Sequence, residues 1–167
     1  MNLPTFEDIQ VAHGRIRQYV HRTPVLSSKS INEIVGAELF FKCENLQKVG
    51  AFKFRGACNS VLSLSDEEAQ NGVCTHSSGN HAAALALAAR MRGIPAYIVM
   101  PENAPEIKKI AVAGYGAQIT FCEPTQAARE ATLKQIAVQT GATEIHPYNY
   151  FNVICGQGTA AKELIED

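Results

Sequence analysis

An α/β fold, a parallel sheet covered by helices on both faces in three layers, is the class this sequence predicts. Three observations lead to it. Strand and helix patterns alternate along the chain, glycines and prolines punctuate them, and apolar residues make up 46% of the 167 residues, enough for a buried core. Phe6 to Tyr19 reads as a helix, Leu39 to Cys43 as a strand and Phe54 to Leu64 as a second helix. Val73 to Ser78 follows as a strand, Gly79 marks a turn, and Asn80 to Met91 is built largely of alanine and leucine, the strongest helix formers. Ala96 to Met100 then reads as a strand, and Pro105 to Ala113 as a helix opened by proline and closed by Gly114. Gln118 to Cys122 is a strand pattern, and Thr125 to Gln139 a helix ended by Gly141. Three right-handed crossovers from Val73 through Ile145 would build one compact unit, with ligands expected at the carboxyl ends of its strands. Ser77 and Ser78 sit at such an end.

The formal net charge of −1 and the lack of a basic run or interleaved aromatic patch argue against nucleic acid as a partner. The longest apolar stretch, Ala82 to Ala89, is too short and too alanine-rich to span a bilayer, and the N-terminus shows no charged-then-apolar signal pattern. A cytoplasmic location is the expectation. Five scattered cysteines, Cys43, Cys58, Cys74, Cys122 and Cys155, without a C-x-x-C pair suit reduced, buried thiols. The five histidines show no H-x-x-x-H spacing, so no metal site is expected from this chain.

Lys53 lies in Gly50-Ala51-Phe52-Lys53-Phe54-Arg55-Gly56-Ala57. Two flanking phenylalanines would partly desolvate its amine, and Arg55 and Lys48 would add like charge, so both effects should lower its pKa and free it to form a Schiff base. The plain structural alternative is a helical lysine reaching past two core aromatics to water. Downstream, Ser77-Ser78-Gly79-Asn80-His81 stands at the mouth of the alanine-rich helix. Free N–H groups and the helix dipole would hold a carboxylate or phosphate there, whereas the structural alternative makes Ser78 or Asn80 an ordinary N-cap.

A competing motif is Gly156-Gln157-Gly158-Thr159-Ala160-Ala161, which satisfies the loose dinucleotide fingerprint. Asn152 to Cys155 before it is a short candidate strand, but the acidic residue expected about twenty positions later finds no place in the sequence.

The lysine motif and the serine-rich turn, in this order, resemble the type II fold family of pyridoxal-phosphate enzymes, in its serine racemase and serine/threonine dehydratase branch. The likeness extends through His21-Arg22-Thr23-Pro24-Val25-Leu26, Phe40-Phe41-Lys42-Cys43-Glu44-Asn45, Gly93-Ile94-Pro95-Ala96, Gly114-Tyr115-Gly116-Ala117 and Gly156-Gln157-Gly158-Thr159, nearly the whole chain. The resemblance implies that Lys53 forms the Schiff base with the cofactor and abstracts the α-proton. It implies that Phe52 packs on the cofactor ring and that Asn80 hydrogen-bonds the ring's phenolic oxygen. Ser78 would act on the opposite face of the substrate α-carbon, Ser77, Ser78, Gly79, Asn80 and His81 would hold the substrate carboxylate, and Arg129 would gate or bind it. Arg129 also suits a merely solvated place on a polar helix face. One departure is Tyr148 after His146-Pro147, where racemases often have asparagine; its phenol could enter the site or lie in the core.

The resemblance further implies a cytoplasmic homodimer in the complete form, a small amino acid as substrate, and racemisation or loss of ammonia as the reaction. Residues 1–48 would begin a large cofactor domain, 49–150 would form a small α/β domain, and 151–167 would resume the large one. Family members run to about twice this length. The glycine-rich loop that cradles the cofactor phosphate and the acidic ligands for magnesium or calcium would then fall beyond Asp167, so the expectation for this chain is a truncated fold with a weak hold on pyridoxal phosphate. The alternative is a non-catalytic half serving as a structural or amino-acid-binding module.

Overall fold

The computed structural model describes residues 3–167; Met1 and Asn2 of the expected first segment lie outside them. Helix α1, Phe6–Ile16, is started by a reciprocal cap in which Thr5 accepts from the Asp8 N–H and Asp8 accepts from the Thr5 N–H. Strand β1, Val25–Leu26, is followed by α2, Lys29–Val35, which buries no residue and leaves Ile31, Ile34 and Val35 exposed. Strand β2 covers only Phe41–Lys42 and pairs antiparallel with β1, so the expected strand Leu39 to Cys43 shrinks to two residues and stays out of the parallel sheet. The chain leaves it at once through short 3₁₀ turns at Glu44–Leu46 and Lys48–Gly50.

Helix α3, Lys53–Ser63, is followed by α4, Asp66–Gln70, which a Ser65–Glu68 capping box starts. The alternating unit then appears as expected: β3 Val73–His76, α5 Asn80–Arg92, β4 Ala96–Pro101, α6 Glu106–Gly114, β5 Gln118–Cys122, α7 Gln126–Thr140 and β6 Thr143–Glu144. The strands are parallel in the order β5-β4-β3-β6. Period-2 alternation sends their side chains to two cores. Val73, Ile98 and Met100 pack with α3, α5 and Val112 of α6, while Cys74, Val99 and Cys122 pack with Leu133 and Ile136 of α7. These are the three expected layers.

Helix α8, Phe151–Glu166, overturns the dinucleotide reading. Asn152 to Cys155 is its first turn rather than a strand, so Gly156 and Gly158 lie mid-helix and form no phosphate-binding loop. Their role is close approach. A Cβ on Gly156 would stand 2.6 Å from the Arg55 carbonyl oxygen of α3, and one on Gly158 would stand 2.8 Å from the Ile9 side chain of α1.

Candidate active site

The strand order sets where a ligand should lie. From β3 the chain moves outward through β4 to β5, then crosses back to place β6 on the other side of β3. Neighbouring strands whose connections depart in opposite directions leave a crevice outside their carboxyl ends. Here the crevice is bounded by Ser77–Gly79 leaving β3 and by His146–Tyr148 leaving β6.

Lys53 reaches this crevice from the N-terminus of α3. Its Nζ donates to the Pro147 carbonyl oxygen at 2.8 Å and lies 5.3 Å from the centre of the Phe52 ring, which is 44% exposed. Burial alone holds the Lys53 ammonium below its ordinary pKa. The like-charge contribution expected from Arg55 is absent, because that guanidinium turns to the other side of α3. Fully buried, it lies between Glu44 and Glu163, with Nε and Nη2 donating to the Glu44 carboxylate at 2.8 Å each and Nη1 and Nη2 to Glu163 at 2.9 and 2.8 Å. Lys48 is likewise engaged elsewhere, 5.6 Å over the Phe54 ring. Phe54 itself is core, so only Phe52 flanks the amine.

The Pro147 carbonyl is held toward Lys53 by its own turn. His146 Nδ1 accepts from the Asn149 N–H at 2.9 Å, and the ring stands edge-on to Tyr148 with centroids 4.4 Å apart. Tyr148, 70% exposed, is no core tyrosine. It lines a cleft of about 330 Å³ with Lys53, Val153, Ile154, Gln157 and Gly158. Gln157 also carries a buried Oε1 without a hydrogen-bond partner among the described residues.

On the β3 side, Gly79 is the N-cap of α5 and its N–H donates to Ser77 Oγ at 3.3 Å. Ser78 and Asn80 provide no capping hydrogen bond, so the ordinary-cap explanation of these residues fails. The first N–H groups of α5 precede any intrahelical acceptor. His81 does not offer its ring to the turn. It is 3% exposed, with Nε2 3.0 Å from the Ile145 carbonyl oxygen, and burial holds its pKa down to about 4, so the imidazole is neutral and donates that bond. Only its backbone N–H remains for an anion. Lys53 is among the charges that depress His81, which ties the starts of α3 and α5 to one locus.

Asn80 Oδ1 accepts from Lys108 Nζ of α6 at 2.9 Å, a contact with no precursor in the sequence pattern. Arg129 of α7 is not a freely solvated arginine: it is half-buried and its Nε is buried without a partner among the described residues. A second cleft, about 480 Å³, adjoins the same strand ends on the α7 side and is lined by His76, Glu130, Lys134, Glu144 and His146.

Residues 16–167 match the family described as pyridoxal-phosphate dependent enzyme. The chain belongs to that family. Among curated relatives it is 54% identical over 166 residues to a beta-hydroxyaspartate dehydratase of Paracoccus denitrificans, covering 99% of this chain and 53% of the relative. It is 58% identical over 158 residues to the serine racemase of Arabidopsis thaliana, covering 95% and 48%. The crystal structure of serine racemase from Dictyostelium discoideum superposes with a TM-score of 0.93 at 53% identity, over 97% of this chain and 53% of that one. The chain thus spans about half the length of the relatives it matches. The residues present fit the family's cofactor: an amine of lowered pKa in a cleft, a half-exposed aromatic face and open helix N–H donors meet at one crevice. The magnesium or calcium that the resemblance implied has no cluster of three or more candidate ligands among the described residues.

Proposed function

We propose that this chain carries the lysine and substrate-carboxylate elements of a pyridoxal-phosphate-dependent serine racemase or serine/threonine dehydratase, acting on serine, threonine or hydroxyaspartate. The observation that carries the reading is Lys53 Nζ, partly buried at the switch point of the sheet and 2.8 Å from the Pro147 carbonyl. Similarity to a serine racemase and to a beta-hydroxyaspartate dehydratase supports the substrate class.

When bound, pyridoxal phosphate supplies an electron sink for charge at the substrate α-carbon. Lys53 would hold the cofactor through its amine and move the α-proton on one face, a task that burial assists by favouring the neutral amine. The Ser78 hydroxyl serves the opposite face. Proton return from that side inverts the centre, whereas departure of a β-hydroxyl as water leaves an enamine whose hydrolysis releases a 2-oxo acid and ammonia. Phe52 would pack against the cofactor ring and the Asn80 amide would donate to its oxygen. Backbone N–H groups and hydroxyls from Ser77 to His81 hold the substrate carboxylate, and the half-buried Arg129 stands behind it.

Residues 1–48 and 151–167 are assigned to one lobe and 49–150 to the other, a division that the separate sheet of β3–β6 supports. The complete form is proposed as a homodimer, for which exposed Phe6, Ile34, Phe40 and Leu46 offer apolar surface to cover. No helix among the described residues is long and apolar enough to cross a membrane. Five free thiols, with Cys58 and Cys74 pushed by burial up to about 12, support a reducing cytoplasm. The test is absorbance: the chain mixed with pyridoxal phosphate should give a saturable visible band that Lys53→Ala loses, followed by formation of pyruvate or D-serine from L-serine. A band of equal strength in Lys53→Ala contradicts the assignment.

A further inference from the structure

The geometry points to Lys108 as a positioning residue for Asn80, an assignment that rests on the cofactor reading above. Lys108 stands in the first turn of α6, half-buried, with Nζ 2.9 Å from Asn80 Oδ1. The neighbouring Lys109 is spent locally: it donates to the Glu102 carbonyl oxygen at 2.8 Å, lies 3.7 Å from Glu106 and sits 5.3 Å from the Phe121 ring centre. Lys108 is different. No carboxylate among the described residues lies within ion-pair distance of it, and its one side-chain hydrogen bond goes to Asn80.

An ammonium has donors and no acceptor, so the contact decides which end of the Asn80 amide faces it. The oxygen must turn to Lys108. The NH₂ end is thereby left as a donor directed away from α6, and an unneutralised positive charge stands behind it. A donor polarised by a cation is suited to an anionic oxygen. On the reading above that oxygen is the ring oxygen of pyridoxal phosphate. Asn80 alone could present either end of its amide; Lys108 selects the donating one and favours the deprotonated oxygen. Because Lys108 stands on α6 and Lys53 on α3, this also couples the cofactor's oxygen to an element that does not hold the lysine.

The experiment compares wild type, Lys108→Met and Lys108→Arg in two readouts. In the cofactor-free chain, the Asn80 side-chain amide resonances should shift in Lys108→Met and return in Lys108→Arg. With pyridoxal phosphate, the pH midpoint of the lysine-dependent visible band should move upward in Lys108→Met, with the cofactor Kd rising roughly tenfold, and both should recover in Lys108→Arg. Asn80 resonances and a band midpoint unchanged in Lys108→Met overturn the assignment while leaving the cofactor reading intact. If wild type gives no lysine-dependent band, the cofactor reading fails, and the Asn80 resonances alone decide whether Lys108 sets the amide.

Discussion

Lys53 and His81 are both held below their ordinary pKa by burial, with different consequences. For Lys53 the effect frees a nucleophile. For His81 it links stability to pH, since the folded state keeps the ring neutral to about 4 whereas the unfolded ring titrates near 6.5. The unfolded chain therefore binds more protons between those values. Stability from this group is complete above pH 6.5 and is lost as pH falls toward 4, by up to about 3 kcal/mol. His76 and His13, also depressed, act in the same direction. His81→Asn, able to donate to the Ile145 carbonyl without titrating, should flatten the slope in urea unfolding at a series of pH values. An unchanged slope would show that the His81 ring is not held neutral. At this scale the sequence singled out Lys53 and the Ser77–His81 turn as candidates, but side-chain direction was illegible. Arg55, two positions from Lys53, looked like a repelling neighbour and instead points to the far side of its helix, and nothing in the order Lys108-Lys109 distinguishes the lysine that meets Asn80.

The crossing of α3 and α8 is the element on which the lysine's placement depends. Burial works to raise the Glu163 pKa, but hydrogen bonds from Arg55 and Lys42 prevail and hold the carboxyl below its usual range. Arg55→Met strands that carboxylate with half its partners and should cost about 3–5 kcal/mol in chemical denaturation. A loss below about 1 kcal/mol would mean the ion cluster does not join these helices. Gly156→Ala should also destabilise, by about 1–3 kcal/mol, because its Cβ would meet the backbone of Arg55 and Gly56 at 2.6 and 2.8 Å. Gly158→Ala meets only the flexible Ile9 side chain, so it should cost less, offset by better helix propensity. Equal effects of the two would contradict the close crossing. The glycine spacing was ambiguous at this level because a mid-helix contact and a phosphate loop ask for the same residues, and only the preceding element separates them. Helix α2 escaped notice for a different reason: Ile31, Ile34 and Val35 recur at helical spacing, but the segment is only seven residues long and leaves that stripe exposed.

For the molecule as a whole, the alternation from Val73 to Ile145 made the sheet legible, since its central strands β3 and β4, buried on both faces, write themselves as short apolar runs between helices. The switch point was less legible. It depends on β6, a two-residue strand whose return to the far side of β3 has no local cue, yet it is β6 that delivers Pro147 to Lys53. On the proposed reading, this junction places one reactive amine where an aldehyde cofactor and an amino-acid substrate meet. The most direct measurement is a titration of the purified chain with pyridoxal phosphate, followed by visible absorbance and by mass after borohydride reduction, with Lys53→Ala alongside. The titration should saturate with one adduct per chain, and the reduced adduct should lie on Lys53 alone. An adduct spread over surface lysines, or a band that survives in Lys53→Ala, would contradict it and favour a module without cofactor chemistry.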